Sequence, residues 1–124
     1  MTSRFSGFLK KKLDLSSGGT GVQNWSVLVP PDEIDVATQE YLDFLVNAQW
    51  SPESHLAIDL TDVSFMDSTG LHWLFSAREK ATTAGREMRL IVQDGSQVDA
   101  LLRIAGVAEV FPIYGSVEEA VKTA

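Results

Sequence analysis

Cysteine is absent from the 124 residues, which removes disulfides, thiolate metal sites and thiol nucleophiles together. Basic residues are scarce: ten Lys and Arg against 17 Asp and Glu leave a net charge of −7. Affinity for nucleic acid comes chiefly from neutralising phosphates, so direct contact with DNA or RNA is not expected. The only basic run, Lys10 to Lys12, reads as a solvated strand face. Histidine occurs only at His55 and His72, and neither these nor the scattered acids have metal-ligand spacing. No apolar stretch is long enough to cross a bilayer or to form a signal-peptide core. A cytoplasmic chain without metal or cofactor is expected.

What is present describes an ordinary globular domain: 44% hydrophobic and 22% charged residues, in a length suited to one core. Leu9, Leu13 and Leu15 at even spacing, the turn residues Ser16 to Gly21, and an extended run from Val22 to Val29 predict a hairpin. Asn24 stands where a dinucleotide loop would need its third glycine. Pro30 and Pro31 end the strand, and Asp35 is placed to cap a helix from about Val36 to Ala48, with Leu42, Leu45 and Val46 inward. Beyond Pro52, a strand runs through Leu56, Ile58 and Leu60, and a helix follows from Met66 onward, ending near Gly85. A strand Met88 to Val92, a helix with Val98, Leu101, Leu102 and Ala105 inward and Gly106 as its stop, and a strand Val110 to Tyr114 come next. Ser116 and Glu119 have capping-box spacing for a last helix to Lys122. This alternation predicts a single α/β domain: a mixed four- to five-stranded sheet with about four helices over residues 9–124, preceded by a flexible arm of residues 1–8.

The most informative stretch is SFMDSTGL, Ser64 to Leu71, where the period changes from strand to helix. Either Asp67 or Ser68 can fill the N-cap position there. A nucleophilic role for Ser68 would need a base and an orienting acid, but His55 lies at the far end of the preceding strand. His72 follows four residues later on the same helical face, yet no G-x-S-x-G elbow accompanies it. An aspartyl-phosphate receiver built on Asp59 or Asp62 lacks the acidic pair near its first strand and the lysine after its last. Catalysis by this chain is therefore not expected. An exposed hydroxyl at a helix start can instead receive a phosphoryl group, because unpaired N–H groups and the helix dipole favour an anion there.

The blocks DEIDVAT (Asp32 to Thr38), LAIDLTDVSFMDSTGL (Leu56 to Leu71), AGREMRLIV (Ala84 to Val92) and LLRIAGVAEVFPIYGSVEEA (Leu101 to Ala120) together resemble the STAS domain of bacterial anti-sigma factor antagonists. The resemblance covers the chain from about residue 9, and D-S-T-G-L is its most specific part. It implies a protein that binds an anti-sigma factor, usually a serine/threonine kinase, and thereby releases a sigma factor. The kinase phosphorylates the first hydroxyl after the motif aspartate, here Ser68, and a serine phosphatase removes the phosphate. ATP then belongs to the partner. Asp35, Asp67, Thr69, Gly70 and Leu71 are the implied partner-binding residues around Ser68; His72 is counted with them as a partner-binding residue, and a monomer or weak dimer is expected. Three residues depart from the family pattern: Asp32 stands where glycine is common, and His72 and Trp73 replace smaller residues. Trp73 reads as packing and His72 as a solvated residue or a partner contact. The alternative is a constitutive scaffold module in which Ser68 serves only as a cap.

Overall fold

The computed structural model describes residues 24–122. The elements in chain order are β1 (Trp25–Leu28), β2 (Glu33–Ile34), a 3₁₀ turn (Val36–Thr38), α1 (Gln39–Gln49), β3 (His55–Asp59), β4 (Phe65–Met66), α2 (Ser68–Thr83), β5 (Met88–Ile91), α3 (Gln97–Ala105), β6 (Ile113–Tyr114) and α4 (Val117–Ala120). β1, β3, β5 and β6 form one sheet in that order, with every pairing parallel. β2 and β4 form a second, two-stranded parallel sheet. The expected α/β domain, its four-stranded sheet and its four helices are thus present. All described pairings are parallel rather than mixed, while the predicted hairpin's first strand and turn, like the arm of residues 1–8, lie outside the described residues.

A parallel sheet buries both faces, so its strands read as near-continuous apolar runs, and the segment from Leu56 to Leu60 is buried throughout. On one face, Leu28, Leu56, Ile58 and Leu90 meet Leu42 and Leu45 of α1, Trp73 and Leu74 of α2, Leu102 of α3 and the loop residue Phe111. On the other, Trp25, Val27, Ala57 and Ile91 pack with Ala120 and Val121. Arg89 belongs to this second face and is 7% exposed. Its guanidinium donates to the carbonyls of Ala120 and Lys122 at 2.9 and 2.8 Å, pairs with Glu87 at 2.9 Å and lies 4.7 Å from the centroid of the Trp25 ring. A buried guanidinium is tolerable where its donors are matched in this way, and here it ties the C-terminal turn to the sheet.

Four local expectations change. The helix after Asp35 begins as a 3₁₀ turn and becomes α only at Gln39. Ala105 is exposed, because α3 turns only Val98 and Leu102 fully inward. The last strand is two residues instead of five: the amides of Val110 and Phe111 bond back to the Val107 carbonyl, and Phe111 becomes a fully buried plug ahead of Pro112, which has no N–H for a ladder. The final helix is the single turn Val117–Ala120, capped by Ser116 as its spacing implied.

Candidate functional site

The small sheet builds the site. Its register pairs Glu33 with Phe65 and Ile34 with Met66, so the chain leaving β2 into the 3₁₀ turn and the chain leaving β4 into α2 emerge side by side. Each exit is capped by an aspartate in extended backbone. The Asp35 carboxylate accepts from the Ala37 N–H at 3.0 Å, and the Thr38 hydroxyl accepts from the Asp35 N–H at 3.1 Å, completing a capping box. The Asp67 carboxylate accepts from the Thr69 N–H at 2.9 Å. A cross-link joins the two exits, since the Asp67 N–H donates to the Ile34 carbonyl at 3.2 Å.

Asp67 rather than Ser68 is therefore the N-cap, and Ser68 occupies the first helical position. Its side chain is exposed, and the cap duty that would have engaged its hydroxyl is taken by its neighbour. Two further donors of the turn are also committed: the amides of Gly70 and Leu71 reach the Asp67 carbonyl at 2.9 and 3.3 Å. The helix start thus offers a phosphate fewer open N–H groups than a start without such a cap. A phosphoryl group on Ser68 would stand beside the Asp67 carboxylate and project towards solvent.

The remaining implied residues take distinct places. His72 is exposed, Thr69 and Leu71 are half-buried, and Gly70 is buried. Gly70 is explained by space, not backbone freedom. A Cβ there would lie 2.7 Å from Met66 Sδ and 2.9 Å from Ile34 Cγ2, and closer still to Met66 Cγ. Only glycine lets the first turn of α2 sit on both strands of the small sheet. Trp73 is 3% exposed and belongs to the core, as its packing reading had it. His55 serves the sheet: its Nδ1 accepts from the Glu87 N–H at 3.0 Å, and burial, with Arg86 and Arg89 nearby, holds its pKa below the usual imidazole value against an opposing pull from Glu87. Asp59 is buried and accepts from the Thr61 N–H and hydroxyl at 3.0 and 2.6 Å, which is a turn-forming role.

One residue at the site carries no sequence signal. Residues 65 and 67 direct their amides towards β2, so strand alternation turns both polar atoms of Met66 to the opposite edge. There the Gln97 side chain takes them: its Oε1 accepts from the Met66 N–H and its Nε2 donates to the Met66 carbonyl, both at 2.8 Å. The amide of a helix residue thus stands where a third strand would pair. Val36, next to the Asp35 cap, is 73% exposed, and Phe65 is 43% exposed, giving the acidic turns apolar neighbours.

Charge is segregated around this arrangement. Residues 24–77 hold nine acids and no lysine or arginine, against seven acids and six bases in residues 78–122. Among the described residues, no group of acids and histidines has the geometry to hold a metal ion, and no helix is long and apolar enough to cross a membrane.

Comparison with known proteins adds to the geometry. A family model, the STAS domain, matches residues 20–120. No curated protein matches the chain. Among solved structures, an anti-sigma factor antagonist from Mycobacterium paratuberculosis is 24% identical, with 82% of this chain and 84% of that one covered and a TM-score of 0.61. An anti-sigma-factor antagonist (STAS) domain protein from Planctomyces limnophilus is 18% identical, with coverage of 82% and 91% and a TM-score of 0.63. The murine anion transporter Solute Carrier 26 family member A9 is 18% identical, with 87% of this chain but only 19% of the transporter covered, at a TM-score of 0.62. At these identities the likeness is one of fold.

Proposed function

Because the chain belongs to the STAS domain family, matched across residues 20–120, we propose that it is an anti-sigma factor antagonist, switched off by phosphorylation of Ser68. In its free form it binds an anti-sigma factor that is itself a serine/threonine kinase and so releases a sigma factor. The observation that carries the reading is the exposed Ser68 side chain at the first position of α2, with Asp67 doing the capping. A serine acting only as a cap would have its oxygen on a backbone N–H, as Ser96 and Ser116 do. The constitutive-scaffold alternative lacks that support.

The chemistry asked of this chain is that of a substrate. The Ser68 oxygen bonds to the γ-phosphorus of ATP held by the partner, the bond to the bridging oxygen breaks, ADP leaves, and the hydroxyl proton passes to a base the partner supplies. A serine phosphatase returns the site to its hydroxyl form. The His55 imidazole is committed to the Glu87 amide and is not offered to Ser68 as a base.

The phosphate works at contact range. It adds about −1.5 to −2 charges and three oxygens next to a carboxylate already in place, and the turn offers it little internal hydrogen bonding. A partner seated on Ser68 must desolvate and make room for it. Unit charges about 4 Å apart interact by roughly 1 to 4 kcal/mol at a surface, and bulk and desolvation add to this, so an affinity loss of ~100-fold is the expected scale. The direct test is incubation with the cognate kinase and ATP, followed by mass-spectrometric mapping. Modification at Ser68 alone is expected. Modification elsewhere, or none, would refute the proposal.

A further inference from the structure

The geometry points to Gln97 as a positioning residue for Ser68, an inference that rests on the phosphoacceptor reading above. Met66 is the last residue of β4 and stands one residue before the Asp67 cap. Its neighbours are held by β2: the amides of Phe65 and Asp67 donate to the carbonyls of Asp32 and Ile34 at 3.3 and 3.2 Å. Met66 itself, fully buried, has its N–H and its carbonyl held by Gln97 alone, at 2.8 Å each. The peptide that aims the chain into the cap is thus gripped from both edges. Remove one grip and the plane of the Met66–Asp67 peptide can rotate, carrying with it the Asp67 carboxylate that fixes the start of α2 and the direction of the Ser68 side chain.

The residue type suits this task and no other common one does. A primary amide donates and accepts side by side, which matches the two groups one strand residue presents along its edge. Asparagine has the same chemistry on a stem one methylene shorter. An ionised glutamate accepts but cannot donate. Gln97 is also anchored, as the first residue of α3 behind the Ser96 cap, whose hydroxyl accepts from the Asp99 N–H at 3.1 Å. Phosphoryl transfer needs the attacking oxygen in line with the leaving group, and a displacement of about 1 Å can cost on the order of 100-fold in rate. Gln97 therefore acts on the transfer step through the backbone and touches no reacting atom.

The test uses the full chain with three residues at position 97. In steady-state phosphorylation by the cognate kinase, Gln97→Ala should lower kcat by roughly tenfold or more with little change in KM, because Val36, Asp35 and His72 still present the docking surface. In parallel, amide resonances of the 15N-labelled chain report the clamp directly. In Gln97→Ala the signals of Met66 to Leu71 should shift and exchange faster, while those of β1 and β5 stay in place. In Gln97→Glu they should move back towards the wild-type positions as pH falls and the carboxyl gains the proton it needs to donate to the Met66 carbonyl; wild type and Gln97→Ala should show no such return. Unchanged kcat in a folded Gln97→Ala chain, or site amides that ignore both substitutions, would overturn the inference while leaving Ser68 as the acceptor. If wild type accepts no phosphate, the antagonist reading falls instead, and the inference falls with it as far as transfer is concerned; the resonances then decide whether Gln97 orients the turn.

Discussion

Replacing Gly70 with alanine sets two effects of opposite sign against each other. Alanine is the better helix former by about 1 kcal/mol, so a position governed by propensity would be stabilised. The added methyl, however, would lie 2.7 Å from Met66 Sδ and 2.9 Å from Ile34 Cγ2, with Met66 Cγ nearer still. Both neighbours are fully buried. Methionine can re-rotate, but Ile34 is stiff at χ1, and a buried pair cannot swing into solvent. Overpacking costs about 1 to 3 kcal/mol, and three buried atoms approached this closely place it in the upper part, about 2 to 3 kcal/mol, so after the propensity gain a net loss of about 1 to 2 kcal/mol is expected. In a domain of this size that corresponds to a fall of roughly 3 to 8 °C in Tm, read by thermal unfolding followed by circular dichroism. The first turn of α2 should also lift from the small sheet, weakening partner binding even with Ser68 intact. A Gly70→Ala chain melting at or above the wild-type temperature would show that the glycine is not there to admit a close approach.

Ser68→Ala should retain partner affinity and Ser68→Glu should weaken it, measured by titration calorimetry against the kinase; equal affinities would defeat the contact-charge argument. Partner affinity should fall as salt rises, because nine acids without a basic residue surround the site's half of the chain; an affinity indifferent to salt would refute this. The depressed pKa of His55 means the unfolded chain binds more protons than the folded one, so its stability contribution is complete above about pH 6.5 and is lost as pH falls from there towards the lower folded value. Urea midpoints measured across that interval should drop with acid in wild type and drop less in His55→Gln. Arg89→Leu leaves the carbonyls of Ala120 and Lys122 without their donor and should cost about 1 to 3 kcal/mol; a shift within the error of a denaturant titration would refute the clasp.

The period change at Met66, the Gly85 and Gly106 stops and the Ser116 cap were legible because each depends on residues within one turn of one another. So was the acceptor turn, whose acid, hydroxyls and glycine are contiguous. Other features depend on pairing at a distance. Two-residue strands such as β2 and β4 have no periodicity to detect, and only their mutual register shows that Asp35 and Asp67 are twin caps. The choice between Asp67 and Ser68 as cap is a one-residue question that residue preferences leave open and the Thr69 amide answers. Gln97 is the extreme case: its partner lies 31 residues away, and a glutamine at the first position of a helix is unremarkable in sequence. Val110 failed as a strand residue for the reverse reason, an apolar run that Phe111 uses to plug the core.

The order of the main sheet, β1-β3-β5-β6, follows the order of the chain, so what is segregated along the sequence is also segregated across the molecule. The stretch with nine acids and no base occupies the β1 and β3 side, and the stretch with seven acids and six bases the β5 and β6 side. Among the described residues the acceptor turn therefore belongs to the part of the domain that carries acids and no lysine or arginine. In the field of a positively charged surface a body with its charge so divided experiences a torque as well as a pull, so its approach to such a partner is oriented before the two surfaces touch.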